Sequence, residues 1–186
     1  MTSLGQDVMR QLYDFNHQRE LWGTINEEGK FISPPPLSKD HPNAWNGKGG
    51  ALVRRAVQAI YTIAFICLLR SDEVLKINRK HVTYLDDGTD GIILTLPFRK
   101  THQAGGAWFL TPEIIPPLLE SNNSLFLLGV KPFYLYPLPE EEAHLCPVRA
   151  LSEWIIASEI TSGNLFRKFS SNDRPSSEEF SNMVMI

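Results

Sequence analysis

The chain has 186 residues, of which 42% are apolar and 21% charged, and its formal net charge is −3. This length allows one domain with a real hydrophobic core and a short appendage, and the ordinary composition excludes wholesale disorder. The chain has 18 basic and 21 acidic residues. This balance argues against nucleic-acid binding through an overall positive charge. Any DNA contact needs a local basic surface.

The two cysteines, Cys67 and Cys146, both stand beside apolar residues, and the chain has no Cys-x-x-C motif. His144 and Cys146 form the only close pairing of histidine and cysteine, which is too sparse for a metal site. We therefore expect buried free thiols in a reducing compartment, and no metal ion or other cofactor.

Two features argue against export and against a membrane span. Residues 1–18 lack the apolar core of a signal peptide. The apolar run at 51–69 is about as long as a membrane span, but Arg54, Arg55 and Gln58 interrupt it. The pattern predicts a core helix without membrane contact.

The N-terminal part of the chain predicts an appendage to the main domain. Residues 6–22 carry apolar side chains at helical spacing and predict an amphipathic helix. The segment that follows, up to Gly50, is rich in proline and glycine and indicates a linker. We expect residues 1–47 to contain this helix and linker, with a domain boundary near residue 48.

The middle of the chain predicts a long helix, a short helix and then strands. The long helix is expected at 50–69, and Ser71 is the expected N-cap of a short helix at 72–78. Asp72 and Glu73 would lie in its first turn, where the helix dipole favours acidic side chains. Alternating apolar residues and turn-forming sequences predict three strands, at 81–85, 92–98 and 131–138.

The last part of the chain predicts one more helix and a tail. Pro147 suits the first position of that helix, and Gly163 suits the stop after it. Residues 170–186 are polar and rich in serine, so we expect a loosely ordered tail. These elements predict an α+β fold, mainly helical, with a small three-stranded antiparallel sheet.

Arg70 ends the apolar run in the sequence LLRSDEVLKI and is the first candidate for chemistry. An arginine held between two helices, near the backbone N–H groups that begin the second, can clamp an oxyanion or a phosphate. The alternative is an arginine that pairs with Glu73 three residues on and faces water. Taken alone, the local pattern favours this alternative.

Lys100 is the second candidate, in the segment FRKTHQAGG at 98–106. A lysine just after a strand, followed by Thr, His, Gln and glycines, lies on a hairpin that could reach a phosphodiester. The alternative is a solvated hairpin tip, where basic residues are common, and the local pattern again favours the alternative.

The order of these segments is more specific than each segment alone. Residues 48–170 contain four features in a fixed order. A buried helix comes first and is followed by the sequence LLRSDEVL, then by a hairpin with KTHQ-x-G, and last by HLCPVRALSEWI. This order resembles the catalytic domain of tyrosine recombinases of the phage-integrase type, most closely the fungal, Crypton-like branch. The resemblance implies a mainly helical catalytic core over 48–169. It assigns an active-site arginine to Arg70, its supporting acid to Glu73 and the hairpin lysine to Lys100.

The resemblance also implies a chemistry and a partner. In the family, a tyrosine hydroxyl attacks a DNA phosphodiester and forms a covalent 3′-phosphotyrosyl link. Arginines stabilise the negative charge that grows on the phosphate oxygens, and the lysine protonates the leaving oxygen. DNA is the implied ligand, with self-association on DNA, a nuclear location and an origin in a mobile element. Neighbouring residues are implied as further DNA contacts: Arg79, Lys80, Arg99 and His102.

The chain departs from the family pattern in three places. After Ile155 it has no His-x-x-Arg block and no tyrosine, and the last tyrosine is Tyr136. We therefore expect a catalytic domain truncated before that block and inactive in strand cleavage on its own. Residues 105–129 form an apolar insertion, or an unremoved intervening sequence in the gene. Residues 1–47 are too few for the helical DNA-clamping domain that relatives carry.

Three functional interpretations stay open at this stage. The first is a truncated recombinase domain that binds DNA through Arg70 and Lys100. The second is a non-catalytic protein-interaction module derived from a recombinase, with the acidic stretch at 140–142 and the apolar insertion as its surface. The third is an unrelated helical domain in which Arg70 and Lys100 lie far apart.

Overall fold

The computed structural model describes residues 4–35, 40, 50–96, 131–170 and 172–180. The helices are α1 (Leu4–Asn16), α2 (Arg19–Trp22), α3 (Ala51–Cys67), α4 (Ser71–Val74) and α5 (Pro147–Ser158). The strands are β1 (Thr24–Ile25), β2 (Phe31–Ile32), β3 (Val82–Tyr84), β4 (Ile92–Leu94) and β5 (Phe133–Leu135). Two 3-10 segments precede β3 and α5, at Arg79–His81 and Glu140–Leu145. Helices with a small antiparallel sheet confirm the predicted α+β class.

The core is built around α3 and α5, which pack against each other. Apolar side chains such as Ile60 and Ile63 bury one side of α3, whereas Tyr61, Phe65 and Ile66 are exposed, so α3 is less fully buried than the core helix that its sequence predicts. On α5 the fully buried Trp154 donates its indole N–H to the Leu165 carbonyl at 3.1 Å, which satisfies its polar group. Pro147 begins α5 as predicted.

The cysteines are both free and buried, as their apolar neighbours predict. Cys67 lies in the last turn of α3 and belongs to the core. Cys146 is the N-cap of α5, and its Sγ accepts a hydrogen bond from the Arg149 backbone N–H at 3.4 Å. Each thiol therefore has a structural role in packing or capping.

The three-stranded sheet covers one side of this core in the order β3-β4-β5, with both neighbouring pairs antiparallel. Leu94 stands opposite Val82 on one side and Phe133 on the other, and Ile92 stands opposite Leu135. Because alternate side chains of a strand point to opposite faces, Ile92 and Leu94 enter the core together. The predicted strands exist and are shorter than expected.

The N-terminal region differs from the single helix predicted for 6–22. It forms α1 and α2 with a break at His17 and Gln18, because the backbone of Gln18 is not helical. The Gln18 carbonyl then begins α2 by accepting hydrogen bonds from the backbone N–H groups of Leu21 and Trp22. Part of the expected linker forms the β1–β2 hairpin. Both helices pack on α3. The boundary expected near residue 48 lies outside the described residues, as does the apolar segment 105–129.

The tail also differs from the loose order that its composition suggests. The backbone N–H of Ser176 donates to the Lys168 carbonyl at 2.7 Å, and that of Asn164 donates to the Glu179 carbonyl at 2.6 Å. The Asp173 carboxylate accepts from the backbone N–H groups of Leu52 and Val53 at 2.9 and 3.0 Å. Residues 172–180 therefore fold back on the domain and cap the start of α3.

Candidate nucleic-acid interface

Arg70 lies at the surface, at the point where α3 passes into α4. It occupies the N-cap position that the sequence assigned to Ser71, and α4 ends at Val74, earlier than predicted. An arginine side chain has no acceptor with which to cap a helix. The capping hydrogen bond comes instead from Glu73, whose Oε2 accepts from the Arg70 backbone N–H at 3.0 Å.

Glu73 is only 6% exposed, although it is charged. Its contact with the Arg70 backbone fixes where the arginine leaves the chain, and the side chain of Arg70 itself extends into solvent. This arrangement differs from the simple alternative in which the two side chains pair at the surface. The acidic residue acts on the backbone of the arginine.

The end of α3 sets the direction in which Arg70 points. The backbone N–H groups of Leu68 and Leu69 both donate to the Ala64 carbonyl, the second at 2.9 Å, and Leu68 has a left-handed backbone with φ of 50°. This turn returns Leu69 to the core, where it is 8% exposed. Arg70 follows at the surface.

Arg79 and Lys80, the next predicted contacts, lie on the 3-10 segment that leads into β3. The Asn78 side chain caps this segment by accepting from the Lys80 backbone N–H at 3.2 Å. Arg79 donates from Nη1 to the Val82 carbonyl at 2.9 Å, so part of its guanidinium already has a structural role. Lys80 is exposed, and it is the better placed of the two for an external anion.

Arg79 also lines an open groove of about 420 Å³. The groove has an apolar floor from the end of α5, and its charged lining residues are Lys30, Glu28 and Glu159 together with Arg79. Because two carboxylates stand beside the two cations, this groove does not select for a polyanion. Arg79 is therefore a weaker candidate for a DNA contact than Arg70 or Lys80.

His81 follows these cations but is turned into the protein. It is 5% exposed, and its Nδ1 accepts from the Asn78 backbone N–H at 3.0 Å. Burial, and then the charge of Lys80, lower the pKa of His81 below its ordinary value. A neutral imidazole in this place supports the turn that presents Lys80.

Lys100, Arg99 and His102 lie outside the described residues. The predicted convergence of Lys100 with Arg70 on one phosphate therefore stays a prediction. Of the predicted contacts, the described residues include the exposed Arg70 on its fixed backbone, the exposed Lys80 and the partly buried Arg79.

Sequence reasoning missed a buried polar network around Arg55. Its guanidinium donates from Nε and Nη2 to the Trp22 carbonyl at 3.2 and 3.0 Å, and from Nη1 to Glu153 at 3.0 Å. The same group lies 4.3 Å from the centre of the Trp22 ring and 4.9 Å from that of Phe31. The one available signal was two adjacent arginines in an otherwise apolar helix, which require buried partners.

Burial, partly offset by the charge of Arg55, raises the pKa of Glu153. Perturbed carboxyl groups often mark active sites, yet this one lies against a buried guanidinium and no groove described above reaches it. The network joins α2, α3 and α5, and we interpret it as structural.

The described residues contain no group of three or more His, Cys, Asp or Glu side chains placed to hold a metal ion. Among the helices in that part of the chain, none has both the length and the apolar character that crossing a bilayer requires.

No protein-family model, no curated protein sequence and no solved structure matches this chain.

Proposed function

We propose that this chain is a DNA-binding protein related to tyrosine recombinases, which contacts a DNA phosphate through Arg70 and does not cleave DNA by itself. The observation that carries the proposal is the exposed Arg70 on a backbone held by the buried Glu73. A guanidinium matches the fork of phosphate oxygens and stays charged at every physiological pH. Holding its backbone in advance lowers the entropy cost of the contact.

The charges around Arg70 favour a weak contact that is indifferent to DNA sequence. Lys76 is exposed and lies 3.9 Å from the exposed Asp72, a surface pair of weak interaction. Arg70 and Lys80 are exposed cations as well. Phosphate contacts of this kind position a protein on DNA but do not read bases.

The proposal includes no strand cleavage by this chain. The chemistry of the resembled family needs a tyrosine nucleophile and a His-x-x-Arg block beyond the CPVRALSEWI helix, and this sequence has no tyrosine after Tyr136. What remains for Arg70 is ground-state binding of the phosphate, with Lys100 as its proposed partner.

Fluorescence anisotropy with a labelled DNA duplex tests the proposal. Two phosphate contacts predict a slope of about −1.8 in log affinity against log salt, so raising the salt from about 50 to about 200 mM weakens binding roughly tenfold. Arg70→Ala and Lys100→Ala should each weaken binding at low salt. Arg174→Ala is the matched control, since Arg174 is exposed on the tail and its carbonyl holds the turn.

Two results would reject a DNA contact at this place. One is the absence of binding at low salt by the folded protein. The other is binding that the double change of Arg70 and Lys100 to alanine leaves as strong as in the Arg174→Ala control.

A protein-interaction module is the second candidate, and one observation favours it. Tyr61 and Phe65 on α3 are 36% and 37% exposed, and Leu68, the residue after α3, is 81% exposed, although all three are large and apolar. Exposed apolar clusters commonly mark protein contacts. A folded chain that retains a protein partner through these side chains and has no affinity for DNA would favour this second function.

A further inference from the structure

Residues 172–180, which we name the strap, are held to the rest of the domain near both ends. Near the start of the strap, the Asp173 carboxylate accepts from the first backbone N–H groups of α3. Near its end, the Glu179 carbonyl accepts from the Asn164 backbone N–H at 2.6 Å, and the Glu179 carboxylate accepts from the Ser162 hydroxyl. Because one short segment makes all these contacts, we expect them to open and close together.

Two glycines allow the strap to approach the domain closely. A β-carbon on Gly50 would overlap the Asp173 carboxylate, and one on Gly163 would lie 2.5 Å from the Glu179 carbonyl oxygen. A side chain at either position would therefore push the strap away. Gly50 has φ of −75°, which alanine also adopts, so an alanine at this position fits the backbone and displaces Asp173.

Ser176 lies in the middle of the strap, and each of its polar atoms has a partner. Its backbone N–H donates to the Lys168 carbonyl at 2.7 Å, and its carbonyl accepts from Nη1 of Arg167 at 3.2 Å. Its Oγ accepts from the Glu178 backbone N–H at 3.1 Å. A group attached to this oxygen disturbs the turn from Ser176 to Glu178 and with it the closed strap.

The residues after Ser176 are those that an acid-directed serine kinase recognises. The sequence SSEE at 176–179 places carboxylates two and three residues after this serine. A kinase with a basic substrate cleft binds such carboxylates through charge complementarity. In the closed strap Ser176 lies in a turn and Glu179 is bound to Ser162, so both become accessible to a cleft when the strap opens.

We propose that Ser176 is a phosphorylation site for an acid-directed serine kinase and that its phosphorylation holds the strap open. The kinase transfers the terminal phosphoryl group of ATP to the Ser176 Oγ. The new Oγ–P bond forms as the bond from the terminal phosphorus to the bridging oxygen breaks, ADP leaves and the hydroxyl proton passes to the base of the kinase. The proposal does not depend on the proposed DNA contact.

The charges of the strap explain why the phosphate favours the open form. The phosphate adds about −1.5 to −2 charges. It adds them beside three carboxylates of the same segment, those of Asp173, Glu178 and Glu179. The buried Arg167 cannot turn to the phosphate without leaving the three carbonyls that it binds. Lys168 and Arg174 are exposed, and exposed ion pairs contribute little.

Incubation of the full chain with ATP and a purified acid-directed serine kinase, followed by mass spectrometry, tests the site. Ser176 should carry the phosphate, and Ser176→Ala should lack it. Gly50→Ala should speed the modification of Ser176 roughly fivefold, because displacing Asp173 removes a capping contact of the closed strap. Gly88→Ala is the matched control, since Gly88 lies in the turn between β3 and β4 with no atom near its β-carbon position.

Hydrogen exchange of the phosphorylated chain tests the release. The backbone N–H groups of Leu52, Val53, Asn164 and Ser176 should exchange at least about tenfold faster than in the unmodified chain, because all four depend on the closed strap. The N–H of Trp154, within α5, should exchange at an unchanged rate.

Four outcomes would overturn the proposal. The kinase leaves Ser176 unmodified in both the wild-type chain and Gly50→Ala. Gly50→Ala is modified at Ser176 no faster than Gly88→Ala, so that opening of the strap does not matter. The four N–H groups exchange at the same rate or more slowly after phosphorylation. Finally, Trp154 exchanges as much faster as they do, which would indicate unfolding of the whole domain.

Discussion

His17 shows how a single residue depends on its surroundings for its charge. The imidazole stacks between the rings of Tyr13 and Trp22, with centroids 3.6 and 3.8 Å away. Burial, and to a smaller extent the positive charges of Arg55 and Arg149, lower the pKa of His17 to about 4, although its hydrogen bond to the Tyr13 carbonyl acts in the other direction. Its Nε2 is buried without a hydrogen-bond partner among the described residues. The folded protein therefore holds His17 neutral.

This predicts that His17 makes the protein less stable in mild acid. The unfolded chain takes up the proton near its ordinary pKa of 6.5, whereas the folded chain takes it up near 4. The stability contributed by neutral His17 is complete above pH 6.5 and is lost as the pH falls toward 4. Discounted for partial solvent exposure, the loss is about 2 kcal/mol.

Urea unfolding between about pH 7 and 4 measures this loss. The comparison is with His17→Phe, which keeps the stacked ring but cannot be protonated. Burial also lowers the pKa values of His81 and His144 and raises that of Glu153. These groups contribute equally to the pH dependence of stability in both proteins. Equal pH dependence in the two proteins would show that His17 does not titrate as expected.

Among the elements, α3 shows a contact that local sequence cannot reveal. Gly50 precedes the helix and has no side chain with which to cap it. The missing acceptor comes from Asp173, 121 residues beyond Leu52. The carboxylate accepts from two backbone N–H groups and places negative charge at the positive end of the helix dipole.

Asp173→Ala should lower the free energy of unfolding by about 1–2 kcal/mol, because it leaves the first backbone N–H groups of α3 without their acceptor. Asp173→Asn keeps one carbonyl oxygen and should lose less. Urea unfolding at pH 7 measures both, and the control is Asn172→Ala, a change at an exposed neighbour. An Asp173→Ala protein as stable as the control would contradict the capping role.

The predictable elements are those whose signals are local. Apolar periodicity gave α3 and the strands, and Pro147 gave the start of α5. The order of the tail could not be predicted, because its composition is polar and its order comes from Asp173 and from backbone pairing with distant residues. The break between α1 and α2 was missed because apolar spacing continues across it.

In the candidate site, too, the features that could be predicted are those with a local signal in the sequence. The position of Arg70 after a buried helix was readable from its neighbours, and so was the nearby Glu73. The hydrogen bond from the Arg70 backbone N–H to the Glu73 side chain could not be predicted, because a spacing of three residues allows a pair between the two side chains equally well. The electrostatic balance beside Arg79 depends on carboxylates from distant parts of the chain.

At the scale of the whole molecule, Arg55 joins the N-terminal region to the main domain. It is 2% exposed and pairs with Glu153 of α5, which is 26% exposed, while it binds the carbonyl at the end of α2. A buried guanidinium of this kind holds three elements in one arrangement.

Arg55→Met should lower the free energy of unfolding by about 3–5 kcal/mol, because it leaves a largely buried carboxylate without its partner. The double variant, Arg55→Met with Glu153→Leu, should lose less free energy of unfolding than the sum of the losses in the two single variants, and the difference should be at least about 1 kcal/mol. The cycle is measured by urea unfolding. The exposed pair of Lys76 and Asp72 is the control and should show almost no coupling. Additive effects at Arg55 and Glu153 would contradict the network.

The capping of α3 by Asp173 has a consequence for synthesis on the ribosome. The N-terminal region and α3 leave the exit tunnel early, but the acceptor for the first N–H groups of α3 emerges 121 residues after Leu52. On a nascent chain, α3 therefore lacks this cap until Asp173 has left the tunnel. The start of α3 is completed only after this later segment has been synthesised.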